Sequence, residues 1–219
     1  MHIPDGFLNV QTWAPAYFLS AGAISHAIKK SRADLSDRQV PRLGVMAAFI
    51  FAAQMVNFPV AGVASGHLLG AALAAIMLGP WSACLVISTV LVIQMLIFQD
   101  GGLAVLGANI FNMSVMGVFS ATLVFRLLSR IMPGSVGRDV AVSLASWASV
   151  MVTAAMASLE LGLSHNVHLV PFKAILTAMA GWHAVIGIGE GLITVVVVRF
   201  MDKLGFSDVQ SGGTGVSRE

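Results

Sequence analysis

The chain has 219 residues, of which 57% are hydrophobic and 10% charged, with a formal net charge of +2. A soluble domain carries about 25% charged residues, so water is excluded as the main solvent for this surface. The small net charge gives no basis for nucleic-acid binding, and the single cysteine, Cys84, excludes an internal disulfide.

The chain opens with Met1-His2-Ile3-Pro4-Asp5-Gly6. It lacks the Lys or Arg that begins a signal peptide, so it is expected to stay on the mature protein. Seven hydrophobic segments follow, at 12–28, 41–57, 60–79, 81–98, 106–128, 139–161 and 173–201. Between 43 and 99 there is no Asp, Glu, Lys or Arg in 57 residues. One spanning helix needs about 20, so this stretch is expected to cross nearly three times. Its breaks are Asn57-Phe58-Pro59 and Gly79-Pro80, because proline ends a helix. Gly62, Gly66, Gly70 and Ala74, four apart, predict a small-residue packing stripe on a third helix, with a shorter step at Ala48 and Ala52. Cys84 reads as a small packed hydrophobe. The Ser/Gly-rich residues 207–219 read as a flexible tail, leaving 1–206 as one transmembrane domain. The fold class is therefore an all-α integral membrane protein, a bundle of seven transmembrane helices.

Charge sets the expected orientation. With the N-terminus outside, 11 of the 12 cations fall inside and Lys173 alone lies outside. The positive-inside rule thus selects N-out and C-in. His2, His67, His165 and His168 then lie at or near the outer face, with His183 close to it and His26 at the inner end. Exposed loop histidines such as His165 and His168 are more often solvated than bound, and are left out of the site.

His2 is the informative residue. A histidine after a free amine offers three nitrogens in sequence: the Met1 amine, the His2 amide and the His2 ring Nδ1. Together they close a five- and a six-membered chelate ring in one plane. The amide must lose its proton, which an ion high in the Irving-Williams order can enforce. Square-planar nitrogen suits Ni(II) or Cu(II), whereas Zn(II) prefers a tetrahedron and Mg(II) oxygen. His67, in Ser65-Gly66-His67-Leu68-Leu69-Gly70, is a candidate fourth donor. The turn-forming Ile3-Pro4-Asp5-Gly6 is expected to fold residues 1–11 back into the bundle, and Met1 is expected to be retained because His2 is bulky for aminopeptidases.

The chain resembles the CbiM/NikM family, the substrate-capture subunits of cobalt and nickel energy-coupling-factor transporters. The resemblance runs through Met1-His2-Ile3-Pro4-Asp5-Gly6, Gln54-Met55-Val56-Asn57-Phe58-Pro59, Ser65-Gly66-His67-Leu68-Leu69-Gly70 and Leu78-Gly79-Pro80-Trp81. It continues in Asp100-Gly101-Gly102, Leu106-Gly107-Ala108-Asn109, Asn112-Met113, His183 and Gly187-Ile188-Gly189-Glu190-Gly191. It implies seven helices, the extra one N-terminal, and metal ligands at Met1, His2 and His67. It also implies a prokaryotic plasma membrane, a transmembrane coupling component, two cytoplasmic ATPases and often a small additional membrane subunit. The transported ion would be Ni(II) or Co(II), with no catalytic cofactor.

No Gly-x-x-x-x-Gly-Lys-Ser/Thr loop occurs, so any ATP-driven step must belong to another chain. Glu190 is the acidic residue well inside an apolar segment and needs a partner or a proton. It reads as a neutral hydrogen-bonded group or as an acceptor near His183. Asn57, Gln94, Asn109 and Asn112 either join helices or fix the tautomers of His2 and His67. An intramembrane protease fits poorly: neither the Gly-x-Ser-Gly spacing of rhomboid proteases nor a His-Glu-x-x-His motif is present, and the chain reads as a non-enzyme. The runner-up is a stand-alone, ion-coupled metal transporter using Glu190.

Overall fold

The computed structural model describes residues 1–34, 39–164 and 170–205. Seven helices follow in chain order: α1 Val10–Asp34, α2 Gln39–Gln54, α3 Ala71–Leu78, α4 Pro80–Phe98, α5 Leu106–Ile131, α6 Gly134–Leu163 and α7 Phe172–Lys203. The helices α4 to α7 are each long and apolar enough to cross a bilayer. At 1.5 Å per residue the 30 residues of α6 reach about 45 Å, against a hydrocarbon core of about 30 Å. The predicted tail at 207–219 and the loop with His165 and His168 lie outside the described residues.

The count of seven agrees with the hydrophobic segments, but the third segment is not one helix. Its first part is a hairpin of β1 Phe58–Val60 and β2 Ala64–Gly66, paired antiparallel with Pro59 opposite Ser65. Only 8 residues of α3 follow, about 12 Å of helix. The all-α expectation is corrected accordingly. So is the glycine stripe, because Gly62 is in the hairpin turn, Gly66 in β2 and Gly70 at the left-handed cap of α3. Ala61 and Gly62 both have positive φ, which builds a turn where a hydropathy reading sees only apolar residues. The first strand is exposed at Phe58 and Pro59, whereas β2 and His67 turn inward and are largely buried. Ala71 to Ile76 are all buried, so α3 has no polar face and packs centrally between α4 and α5.

Close packing of small residues does occur, on α7. A Cβ on Gly187 would lie 2.8 Å from Trp147 Cδ1, and one on Gly191 3.1 Å from the Ser143 carbonyl, so α6 and α7 meet at these two glycines. Ion pairs from Arg138 to Asp202 and from Arg199 to Asp139 join the start of α6 to the end of α7. At the opposite end, α2, α4 and α6 finish, α3, α5 and α7 begin, and residues 1–9 lie against them. Within α5, Ile110–Met116 form a π-helical stretch. Thr153 and Ser149 of α6 donate to the carbonyls of Asn112 and Gly117 at 3.1 and 2.7 Å, pairing carbonyls where the helix widens.

The helix α1 seats on α5 through Gly107, where a Cβ would lie 2.5 Å from Tyr17 Cγ and 2.7 Å from Tyr17 Cα. Ser20 also donates to the Gly107 carbonyl at 2.7 Å. Gly107→Ala should push α1 off α5 and destabilise the protein by about 1–3 kcal/mol. Thermal unfolding in detergent measures this, and an unchanged midpoint would show that α1 is not seated there.

Candidate metal centre

The first three residues are buried at the bundle end, with Met1 and Ile3 at 0% and His2 at 2% exposure. Their backbone is held like an added strand. Ser65 N–H donates to the His2 carbonyl at 3.2 Å, and Gly102 N–H to the Ile3 carbonyl at 3.1 Å. Asn109 brackets Ile3, accepting from its N–H at 2.9 Å and donating to its carbonyl at 3.0 Å. Asp5 accepts the N–H groups of Leu103 and Ala104 at 2.9 and 2.8 Å. Gly102 is required at this crossing, since a Cβ there would lie 2.2 Å from Asp5 Oδ1. The turn at Pro4-Asp5-Gly6, with φ +89 at Gly6, then leads out to α1.

Three nitrogens converge on one atom, the Ser65 hydroxyl oxygen. The Met1 amine donates to it at 2.9 Å and also to the Ser65 carbonyl. The His2 amide donates to it at 3.0 Å, and His2 Nδ1 is 3.4 Å away. His2 Nε2 lies 3.1 Å from Gln94 Oε1, and with Nε2 as the donor of this bond Nδ1 keeps its lone pair. The same logic fixes His67: Nδ1 donates to the Leu68 carbonyl at 2.7 Å. Its Nε2 is buried with no hydrogen-bond partner among the described residues. The two rings face one another, with centroids 4.7 Å apart and planes inclined by 31°.

The loop bearing His67 is fixed from two sides. Gln54 of α2 donates to the Leu69 carbonyl at 2.7 Å. The N–H groups of Leu69 and Gly70 donate to the two oxygens of Glu190 on α7 at 2.5 and 2.6 Å. Glu190 is thus a loop clamp, in hydrogen bonds to backbone and not to His183. His183 donates from Nδ1 to the Met179 carbonyl at 2.7 Å, and its buried Nε2 is likewise unpartnered among the described residues.

Burial keeps the nitrogens in their metal-binding forms. It lowers the Met1 amine well below its ordinary value of 8.0, partly opposed by the Asp100 carboxylate. Burial, then the adjacent amine charge, brings His2 down to about 3. His67 is lowered by the same causes in the same order, with smaller contributions from His2 and His183. Among the described residues no three His, Cys, Asp or Glu side chains gather as a metal cluster.

Of the predicted residues, Met1, His2 and His67 come together, while His26 is exposed on α1 beside Trp81. Gln94 and Asn109 act on the N-terminal segment, whereas Asn57 donates to Asp100 at 2.8 Å and Asn112 to Glu160 at 2.6 Å. Three features escaped the sequence reading. Ser65 was visible only as a neighbour of His67, and Asp100 only as part of a glycine motif. Glu160 lies too near a segment end to stand out, yet it is 7% exposed.

The model for CbiM, described as the cobalt uptake substrate-specific transmembrane region, matches residues 2–206. The chain belongs to the CbiM family. A cobalt transport protein CbiM of Thermosediminibacter oceani is 32% identical over 211 residues, covering 92% of this chain and 84% of that protein. A fused nickel transport protein, NikMN, of Rhodobacter capsulatus is 34% identical over 215 residues, covering 93% of this chain and 62% of that protein. The chain likewise spans 65% of a fused NikMN protein of Archaeoglobus fulgidus, at 38% identity over 201 residues and 92% of this chain. A crystal structure titled as a truncated transition metal transporter superposes with a TM-score of 0.87 at 30% identity, covering 93% of this chain and 99% of that one. This CbiM-family chain is a multi-pass membrane protein.

The lowered pKa values give docking of the N-terminus a definite pH dependence. When undocked, the amine takes up a proton below about 8 and His2 below about 6.5, whereas docked His2 does so only near 3. The undocked state binds more protons, so docking weakens as pH falls from 8 towards 3. The protection of the Ile3 amide, its exchange rate corrected for the intrinsic slowing of exchange at low pH, should fall on acidification, and protection unchanged with pH would contradict buried neutral nitrogens. Asn109→Ala should loosen the segment at every pH by about 1–3 kcal/mol, because it leaves the buried Ile3 N–H unpaired and the Ile3 carbonyl with Gly102 alone.

Proposed function

We propose that this chain is the substrate-capturing membrane subunit of an energy-coupling-factor transporter for Ni(II), with Co(II) as the close competitor. The observation that carries this reading is the convergence of the Met1 amine, the His2 amide and His2 Nδ1 on one point, 2.9, 3.0 and 3.4 Å from Ser65 Oγ. The unpartnered Nε2 of His67 stands beside them. An ion entering this focus would displace the amide proton and the Ser65 hydroxyl contacts, and take His67 as its fourth nitrogen. Four nitrogens with a deprotonated amide favour a planar d⁸ ion, and hence nickel over cobalt. The names of the relatives, nickel transport for one and cobalt transport for another, support the same pair of ions.

In this reading residues 1–206 form one capture domain, with 1–11 as its chelating segment and 207–219 as a tail. The site faces outward and the C-terminus lies inside, since Lys29, Lys30, Arg126, Arg130 and Arg199 sit near helix ends away from the site, while Lys173 opens α7 at the site end. Transport across the membrane is assigned to partners: a transmembrane coupling component, two cytoplasmic ATPases and a small additional membrane subunit. The exposed Ala48 and Ala52 of α2 offer a close-packing face for such a partner. A stand-alone ion-coupled transporter would need Glu190 free to exchange its ion, but both of its oxygens hold backbone N–H groups.

The test is calorimetry and visible spectroscopy with nickel chloride. One residue added before Met1 should abolish tight binding, because the amine is buried and would become an amide. His67→Ala should weaken binding by more than about 100-fold, since loss of a supporting residue alone typically costs 10–100-fold. The loaded parent protein should be yellow and diamagnetic. Unchanged binding by the extended chain, or weak octahedral bands in the parent, would refute the site.

A further inference from the structure

The proposed chelate carries a charge that its own ligands do not cancel. A divalent ion with a neutral amine, one deprotonated amide and two neutral imidazoles keeps one net positive charge. Met1, His2 and His67 are 0–2% exposed, so water cannot screen that charge, and an uncompensated charge in such surroundings is costly. A carboxylate facing the site would cancel it.

Two acidic side chains nearby are committed to backbone N–H groups through both oxygens. Glu190 is bound to the Leu69 and Gly70 amides, and Asp5 to those of Leu103 and Ala104. Asp100 lies on the loop between α4 and α5 with Oδ1 3.4 Å from His2 Nδ1, the ring nitrogen assigned to the metal. Its Oδ2 accepts from Asn57 at 2.8 Å, which turns the carboxylate towards His2. Gly101 is shaped to the same contact, since a Cβ there would lie 3.3 Å from His2 Cδ2. Asp100 is 18% exposed while His2 is 2% exposed, so the carboxylate touches both solvent and the buried ring.

We propose that Asp100 is the counter-charge of the loaded site: it neutralises the single positive charge left on the metal chelate and thereby sets the preference for a divalent ion. This inference rests on the Met1, His2 and His67 reading. The amide and Asp100 together supply two negative charges, matching a dication. Asp100 is not assigned as a ligand. It acts through space, beside Nδ1, and the nitrogen geometry is complete without it.

The experiment titrates nickel chloride into the full chain in detergent, for the parent, Asp100→Asn, Asp100→Glu and the chain extended before Met1. Asp100→Asn keeps the shape and removes the charge. With the carboxylate about 4–5 Å from the ion at an intermediate effective dielectric, affinity should fall by about 100-fold or more. At saturating nickel the yellow absorption should be unchanged, because the four nitrogens remain. Asp100→Glu should recover most of the affinity, which a purely structural role for the aspartate shape would not produce. If the extended chain loses nickel but Asp100→Asn binds within about threefold of the parent, or Asp100→Glu is as weak as Asp100→Asn, the counter-charge is refuted and the nitrogen site stands. If the extended chain binds nickel as the parent does, the nitrogen site is refuted and the counter-charge with it.

Discussion

The end of the bundle where α2, α4 and α6 finish is built around the burial of three residues that a chain normally leaves in water. A terminal amine and its first amides are strongly hydrated, and each backbone group left unpaired on burial costs about 1–3 kcal/mol. Here the Met1 amine, the His2 N–H and carbonyl, and the Ile3 N–H and carbonyl all have protein partners. Those partners come from β2, from the loop after α4 and from Asn109 at the start of α5. The hairpin exists where a third full helix would otherwise run, because a helix keeps its carbonyls and N–H groups to itself and could not offer Ser65 to an incoming strand.

The requirement then passes inward through the bundle. Ser65 can face the N-terminus only if β2 is fixed, and the loop that follows is fixed by Glu190 on α7 and Gln54 on α2. Helix α7 in turn is set against α6 by Gly187 and Gly191, whose lack of a Cβ brings the two backbones close. A chain of ordinary contacts thus connects the longest helix to the histidine most exposed to loss of alignment. The ring nitrogens are kept neutral by the same enclosure, so desolvation supplies both the rigidity and the protonation state that a metal needs.

Several parts of this site were legible from residue types alone. Met1-His2 before a turn is a chelating pattern in its own chemistry, and the turn residues Pro4, Asp5 and Gly6 do turn the chain. Gln94, read as joining helices or fixing a histidine tautomer, does meet the His2 ring, whereas Asn109, read the same way, instead holds the Ile3 backbone. Glu190 was read as needing partners, and it has two. Asp100 could not be singled out, because a carboxylate beside glycines reads as a loop, and its meaning depends on lying 3.4 Å from His2 across 98 positions of sequence.

The sequence by itself determined the solvent of this protein and the number of its helices, and it named Met1, His2 and His67 as candidate nitrogen donors, because hydropathy and side-chain chemistry are local properties that need no partner. Tertiary structure alone decided the conformation of residues 58–70. Hydropathy reports which solvent a segment prefers and not which hydrogen bonds its backbone makes, so an apolar hairpin looks like a helix until its neighbours are known. It also decided which polar groups face the terminal amine, since Ser65, Gln94, Asp100 and Asn109 come from separate elements and meet only when the bundle closes around Met1.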